Sequence, residues 1–521
     1  MRVVFFVLAA LAQKPAATES ADVGVEAKWT LAMKAYQAQS FEAASLVFFD
    51  IAESTAASYA ARVEEAEFFL GKTLYQMRYF DAAFARFDKV VERGRAHKFF
   101  SATLSWLALL AHRLQGDAAV LERIARFSRN EFPPGIRNEL SYLLGKHLFQ
   151  TGELRRAEEI LRGVQASSQF YPRAQFVYGL AQIRFGRPEE ALKAFQTVFD
   201  LVPAGAAETE LGPLRELAQL NMARILYQLE RFKDANRLYR RIDGRSANWI
   251  AAIFEAAWAV FRERDYAKAL GNLLTLDSPF YENEFFPEAY LLRAVTAFRN
   301  CRYDEVDRTV DIFLKRFEPL AAELKKQIQR LGNSSDKYFD FFVEMRKRAA
   351  RRTGVVAGAG VSTKGDSAPD LLGRVLKLSM ADRALTRMHA FVLQLDRELA
   401  AIRSTRGVWR KSALARSMFE AVSYHREQAA IDAGKRVRDR FVGAHTEIES
   451  LVQQAYRLRF ETQNARLNRL TAEVREEQEF APARPTRKVA VYEVMFPFKG
   501  EFWRDELGYY EVDVKSECQK K

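Results

Sequence analysis

Small and bulky apolar positions recur along the first three hundred residues on one fixed ruler. A small residue is followed by another at +12, a bulky apolar residue at +16 and an apolar residue at +19. The sets are Ala32/Ala44/Phe48/Ile51, Gly71/Ala83/Phe87/Val90, Gly145/Ala157/Leu161/Val164, Gly179/Ala191/Phe195/Val198, Ala223/Ala235/Tyr239/Ile242 and Ala257/Ala269/Leu273/Leu276. A seventh, Ala294/Val306/Val310/Phe313, has valine at the second small position. Such a ruler predicts antiparallel helix pairs: small residues let two helices approach closely, and the +16 and +19 side chains fill the gap to the next pair. Turns separate the helices at Thr151-Gly152-Glu153 and Phe185-Gly186-Arg187.

These spacings resemble the tetratricopeptide repeat (TPR) family. The 34-residue steps from Gly145 to Gly179 and from Ala223 to Ala257 match it, as do Y-G-L-A-x-x-R-F-G-R-P-E-E-A-L-x-x-F at 178–195 and the closing Pro203. The 74-residue step from Gly71 to Gly145 leaves room for a degenerate eighth repeat at about 97–130, and 204–213 and 278–287 are insertions. The expected fold is all-α: a TPR-like solenoid of about eight helix pairs over 27–318. In this family the first helices line the concave face. Carried over, that places Phe68, Tyr142, Phe176, Leu220, Phe254 and Leu291 three residues before the small position, and Tyr75, Phe149, Ile183, Tyr227, Phe261 and Phe298 four after it. Lys72, Lys146, Arg184, Arg224, Arg262 and Arg299 are interspersed. An aromatic groove with cations suits a protein partner offering an extended or helical peptide with apolar anchors and acidic residues.

Beyond the solenoid, 319–350 reads as a helical extension and the glycine-containing 351–370 as a flexible linker. Gly360 and Gly365 lack the lysine that a phosphate loop needs. In 371–480 the series Leu385, Met388, Val392, Leu395, Leu399, Ile402 and Val437, Phe441, Ala444, Ile448, Leu451, Ala455, Leu458 alternate three and four apart, predicting a long helical hairpin with coiled-coil character. Its second arm outruns the first, so the helix at 320–350, another copy of the chain or a foreign helix must cover Phe441 to Leu458. In the tail, 487–521, VAVYEVMF and YYEVDV read as a β-hairpin that must dock on something.

At the other end, Met1-Arg2 precedes ten apolar residues ending in Ala10-Leu11-Ala12, the order of a signal peptide over 1–12, with 13–26 as linker. The expected compartment is the periplasm. The tail, F-F-P-E-A-Y at 285–290 and N-C-R-Y-D-E around Cys301 resemble exported TPR proteins of delta-proteobacteria, some of them tied to envelope machinery such as gliding motility.

Charge and chemistry narrow the classes. Net charge is +13, with 42 basic against 40 acidic residues in 1–319 and 38 against 27 in 320–521. The basic second half keeps a nucleic-acid or anionic-surface binder open beside the protein scaffold. Two cysteines and six histidines without H-E-x-x-H spacing predict no metal site, and no cofactor loop, nucleophile–base pair or carboxylate pair points to an enzyme. Cys301 and Cys518 leave three states open: a bond to each other, two independent thiols, or Cys518 bonded to another chain.

Overall fold

The structure is a computed structural model. It describes residues 17–114, 118–203, 211–281, 286–356, 383–473, 500, 502, 504, 507–512, 514 and 516–518. They fold into two compact units, 1–171 with 387–430 and 172–386 with 431–521. The signal-peptide segment 1–12 lies outside the described residues, as do VAVYEVMF and most of the linker at 351–370.

Among the described residues there are eight helix pairs. In the first unit they are α1 (Ala17–Gln37) with α2 (Phe41–Ala52), α3 (Ala60–Gln76) with α4 (Phe80–Glu92), α5 (Phe100–Arg113) with α6 (Ala118–Ile124), and α7 (Arg137–Thr151) with α8 (Leu154–Arg162). The second unit carries α9 (Tyr171–Arg184) with α10 (Pro188–Leu201), α11 (Gly212–Gln228) with α12 (Phe232–Tyr239), α13 (Trp249–Arg262) with α14 (Tyr266–Leu276), and α15 (Pro287–Arg299) with α16 (Tyr303–Leu331). The pair α5/α6 is the degenerate repeat expected from the 74-residue step.

One backbone device closes all seven ruler repeats. Seven residues after the small position the chain turns left-handed, at Gln39, Arg78, Gly152, Gly186, Glu230, Arg264 and Cys301, with φ between 57° and 89°. The next amide then donates back to the carbonyl at +3, as in Ser40 to Ala35, Glu153 to Leu148 and Arg302 to Ala297, over 2.8–3.0 Å in all seven. The left-handed residue's own amide reaches the carbonyl at +4. This Schellman geometry satisfies the last carbonyls of the first helix and reverses the chain. Only two of the seven positions are glycine; the other five carry the roughly 1 kcal/mol cost of a side chain in that region. A ring pair flanks the reversal in five repeats, between +4 and +9: Tyr36/Phe41, Tyr75/Phe80, Tyr227/Phe232, Phe261/Tyr266 and Phe298/Tyr303, with centroids 5.2–6.0 Å apart.

The ruler positions are buried in every repeat except Leu276, which is partly buried. Their contacts differ from expectation in one respect. A methyl added at Gly71 would lie 2.7 Å from the Phe87 ring, one at Gly145 2.5 Å from Leu161, and one at Gly179 2.9 Å from Phe195. The first small residue therefore makes room for the +16 side chain of its own repeat, and that side chain also reaches the next pair: Phe87 stacks on Trp106 at 5.8 Å and Phe195 packs with Ala218, Met222 and Ile225.

Boundaries also move. Helix α1 starts at Ala17, inside the segment expected as linker, and α16 runs unbroken through Pro319, where an extension was expected to begin. Helix α17 (Ser335–Val356) follows and carries six residues into the expected linker. The hairpin arms are α18 (Arg383–Ser404) and α20 (Ala413–Glu473, 61 residues), joined by the single turn α19 (Val408–Lys411). The described residues of the tail form no strand, and VAVYEVMF, the other half of the expected β-hairpin, lies outside them. The tail's described residues pack on helices α13 and α14.

The glycine contacts give a direct test. Gly179→Leu should overpack the Phe195 contact and cost about 1–3 kcal/mol, read as a lower urea midpoint. An unchanged midpoint would refute the packing described.

Candidate functional site

The sequence-predicted groove residues lie on the first helices of the repeats, where two packing roles fix them. Rings three residues before the small position lean on the start of the following repeat. Phe68 stacks on Phe99 at 4.4 Å, Tyr142 on Phe170 at 5.9 Å, and Phe254 meets Phe286 at 5.2 Å. Phe176 instead turns to Phe195 of its own repeat, 5.4 Å away. The rings four residues after the small position, Tyr75, Tyr227, Phe261 and Phe298, belong to the turn-flanking pairs. Phe149 sits at the equivalent place. All are half-buried except Phe68, which is buried.

The cations sort differently. Arg224 grips Glu255 of the next repeat through two bonds of 2.8 and 2.6 Å, which holds its guanidinium firmly protonated. Arg262 reaches Glu230 at 3.3 Å and lies over the Phe232 ring. Lys146 is half-buried; Arg184 and Arg299 are exposed. Lys72 stands apart. Its Nζ lies 4.7–5.7 Å from the centroids of Tyr36, Phe68, Phe69 and Trp106, all in the first unit. Among the described residues no carboxylate pairs with it, and burial lowers its pKa. The rings' negative faces supply some of the missing counter-charge.

Sequence reasoning missed a second constellation in the first unit. The turn preceding α4 is gripped from two sides. The Glu398 carboxylate of α18 accepts from the backbone amides of Phe80 (3.0 Å) and Asp81 (3.3 Å), capping α4 from outside its own chain segment. Asp81 in turn meets His425 Nδ1 of α20 at 2.7 Å. Between the arms, Trp409 stacks on Tyr79 at 5.7 Å and donates its Nε1 to Ser45 Oγ at 2.9 Å. The available signal was Glu398 itself: it lies one residue from Leu399 in a heptad-like series, where a solvated charge is the default reading. It is in fact 4% exposed. Burial, and then the charge of Asp81, push its pKa up to about 8 against the pull of the two amides. The bond to Asp81 raises that of His425.

The tail supplies the third constellation, in the second unit. Its described residues run along α14 and the start of α13, and Cys518 is disulfide-bonded to Cys301 with Cα atoms 5.0 Å apart. No group of three acidic, histidine or cysteine side chains among the described residues could hold a metal ion, and no described helix is long and apolar enough to cross a membrane.

No family model matches the chain, and no curated protein is similar to it in sequence. Solved structures similar to parts of it include a TPR protein from Parabacteroides merdae, at 13% identity over 48% of this chain and 92% of that one, with a TM-score of 0.31. The apo form of RapI is similar at 12% identity over 65% and 99%, with a TM-score of 0.33. The TPR domain of P58(IPK) is similar at 14% over 78% and 99%, with a TM-score of 0.18. Superpositions this loose carry no functional weight. The all-α assignment rests on the helix pairs themselves.

The grip on α4 predicts a pH dependence. Docked Glu398 holds its proton to about pH 8, whereas an undocked glutamate releases it near its ordinary value of 4.5, so docking weakens as pH rises between those limits. His425 acts in the same sense: its contribution is full below about 6.5 and is lost as pH rises through its raised value. The near-ultraviolet signal of Trp409, assigned by difference from Trp409→Phe, should therefore report loosening from pH 6 to 9. Glu398→Gln should flatten most of that change; identical profiles in the two proteins would exclude Glu398 as the titrating group.

Proposed function

We propose that the protein is an exported, non-enzymatic scaffold that holds protein partners on the first-helix face of its repeats, within a bacterial cell-envelope assembly of the kind that serves motility. The observation that carries the binding reading is the half-buried ammonium of Lys72, ringed by four aromatic side chains and paired with no carboxylate among the described residues. A charge held this way is poorly compensated, and an incoming carboxylate would be bound in a partly dry site. Rings at the same place offer surface for apolar or aromatic neighbours of that carboxylate. The partner class is therefore an acidic peptide segment with aromatic or apolar anchors.

Export is supported by the pattern of the first twelve residues and by the Cys301–Cys518 bond, which persists best in an oxidising compartment. The alternative, a nucleic-acid or anionic-surface binder, draws on the basic second half. Some of that charge is answered inside the second unit, where Arg459 pairs with Asp311, and Arg466 with Asp304 and Asp307.

Selecting a displayed random-peptide library on the protein should enrich sequences with Asp or Glu beside an aromatic residue. Lys72→Met should then weaken the selected peptides about tenfold or more, roughly 1.4 kcal/mol, with no loss of melting temperature. Equal affinity in the variant would take the site away from Lys72. For export, mass spectrometry of native protein should find Gln13 at the N-terminus; an intact Met1 would remove the compartment assignment.

A further inference from the structure

The face of α14 under the tail differs from its counterparts in the other repeats. Fourteen residues after the small position they carry Leu46, Ala85, Glu159, Lys193, Arg237 and Arg308, whereas α14 carries Gly271. Glycine inside a helix costs about 1 kcal/mol relative to alanine, so the exchange calls for a packing reason. That reason is backbone contact: a methyl on Gly271 would overlap the carbonyl of Tyr510. One turn to either side, Val512 N donates to the Ala267 carbonyl at 3.3 Å and Gly508 N to Thr275 Oγ1 at 2.9 Å. Gly508, at φ +84°, lies against Trp249 and Ile253 of α13.

The tail reads the seat in alternation. Leu507 is buried, Tyr510, Val512 and Val514 are partly buried, and Tyr509 and Glu511 are exposed. Val512 and Val514 pack on the cluster of Ala257, Leu270, Leu273, Ala289 and Leu292. Farther on, Glu517 N donates to the Asn300 carbonyl at 2.9 Å, beside the disulfide. A single extended segment laid on helices is marginal alone. Covalent closure across a sequence separation of 217 residues keeps its end in place.

We propose that the α13–α14 face centred on Gly271 is a docking site for an extended segment of alternating apolar residues, occupied by the chain's own tail and latched shut by the Cys301–Cys518 bond. A dithiol reductant opens it. One thiolate of the reductant attacks a sulfur of the bond, giving a mixed disulfide and releasing the other cysteine as thiolate. The reductant's second thiol then resolves the mixed disulfide. Two electrons and two protons pass to Cys301 and Cys518, and the reductant leaves as a disulfide. The opened face presents Trp249, Ile253 and the Val512/Val514 seat, an apolar patch suited to a partner segment of the same pattern. This proposal is independent of the Lys72 reading.

The test uses the full chain and a labelled synthetic peptide of residues 507–514 as probe. Oxidised wild-type protein should bind it at least tenfold more weakly than Cys518→Ser, Cys301→Ser or wild type reduced with dithiothreitol. In both serine variants, and not in the oxidised parent, a protease should clip the tail, with helical content by circular dichroism unchanged. Adding Gly271→Leu to Cys518→Ser should abolish peptide binding. Equal binding by oxidised wild type and Cys518→Ser would show that the bond gates nothing. A Cys518→Ser protein that fails to bind the peptide would also overturn the proposal: with its tail protected, the latch is unnecessary; with its tail clipped, the face is no segment site.

Discussion

The chain reversal seven residues after each small position is the constraint from which the repeat follows. In an antiparallel pair, positions equidistant from the turn come level, and with the turn centred near +8 the small residue at 0 must face +16. That is where Gly71, Gly145 and Gly179 meet Phe87, Leu161 and Phe195. The same symmetry sets −3 level with +19 and +4 level with +12, so the whole ruler is the mirror relation of one left-handed turn. The backbone bonds that hold the turn are made in every ruler repeat, whatever side chain stands there. Gln39, Arg78, Glu230, Arg264 and Cys301 show that the reversal does not need glycine. The strain in each is offset by two satisfied carbonyls and, in their repeats, a ring pair across the turn.

A solenoid repeat leaves the outer side of its second helix and its turn edge for something else to cover, and in each unit the C-terminal portion supplies it. In the first unit α18 and α20 seize the start of α4 through Glu398, His425 and Trp409. In the second, the distal portion of α20 lies antiparallel to α16: Tyr456 meets Glu318, Arg459 meets Asp311, and Arg466 meets Asp304 and Asp307. Phe441 packs against Tyr338 and Phe341 of α17, and Gly434 admits the backbone of Ser335. Of the three covers the sequence allowed for Phe441, the helix at 320–350 is the one found. Some of the positive charge in the second half of the chain is thus matched within the molecule by the acidic start of α16. The sequence count by halves could not show this, because pairing across more than a hundred residues leaves no local pattern.

What was legible followed period and spacing. The eight pairs, the degenerate α5/α6 repeat and both hairpin arms were readable because burial imposes a period on the residues that share a face. The boundaries at 318 and 351 were not, since Pro319 and the glycines after 350 are conventional break signals, and the helices run through Pro319 and Gly354. Glu398 was hidden because a buried acid and a solvated one look alike in a heptad. Gly271 could have been found: aligned on the ruler, it stands within a second helix at a position where the six other repeats carry a larger side chain. That the tail must dock on something was legible, and its described residues do pack on the second unit. Period two records which side is buried and not what buries it, so it could not name the helices α13 and α14 as the seat.

The cations show why a uniform ladder of candidates could not be ranked from sequence. Arg224 and Lys72 hold the same place in their repeats, one residue after the small position. At Arg224 the next repeat offers Glu255, and a planar guanidinium takes both carboxylate oxygens, so its charge is spent on joining repeats. At Lys72 the surrounding positions are aromatic. A compact ammonium there gains from the ring faces but remains poorly compensated, and its burial lowers its pKa. A methionine would fill the same space without that cost. A local choice that opposes stability while the rest of the repeat is self-consistent is what the binding role proposed for Lys72 would account for.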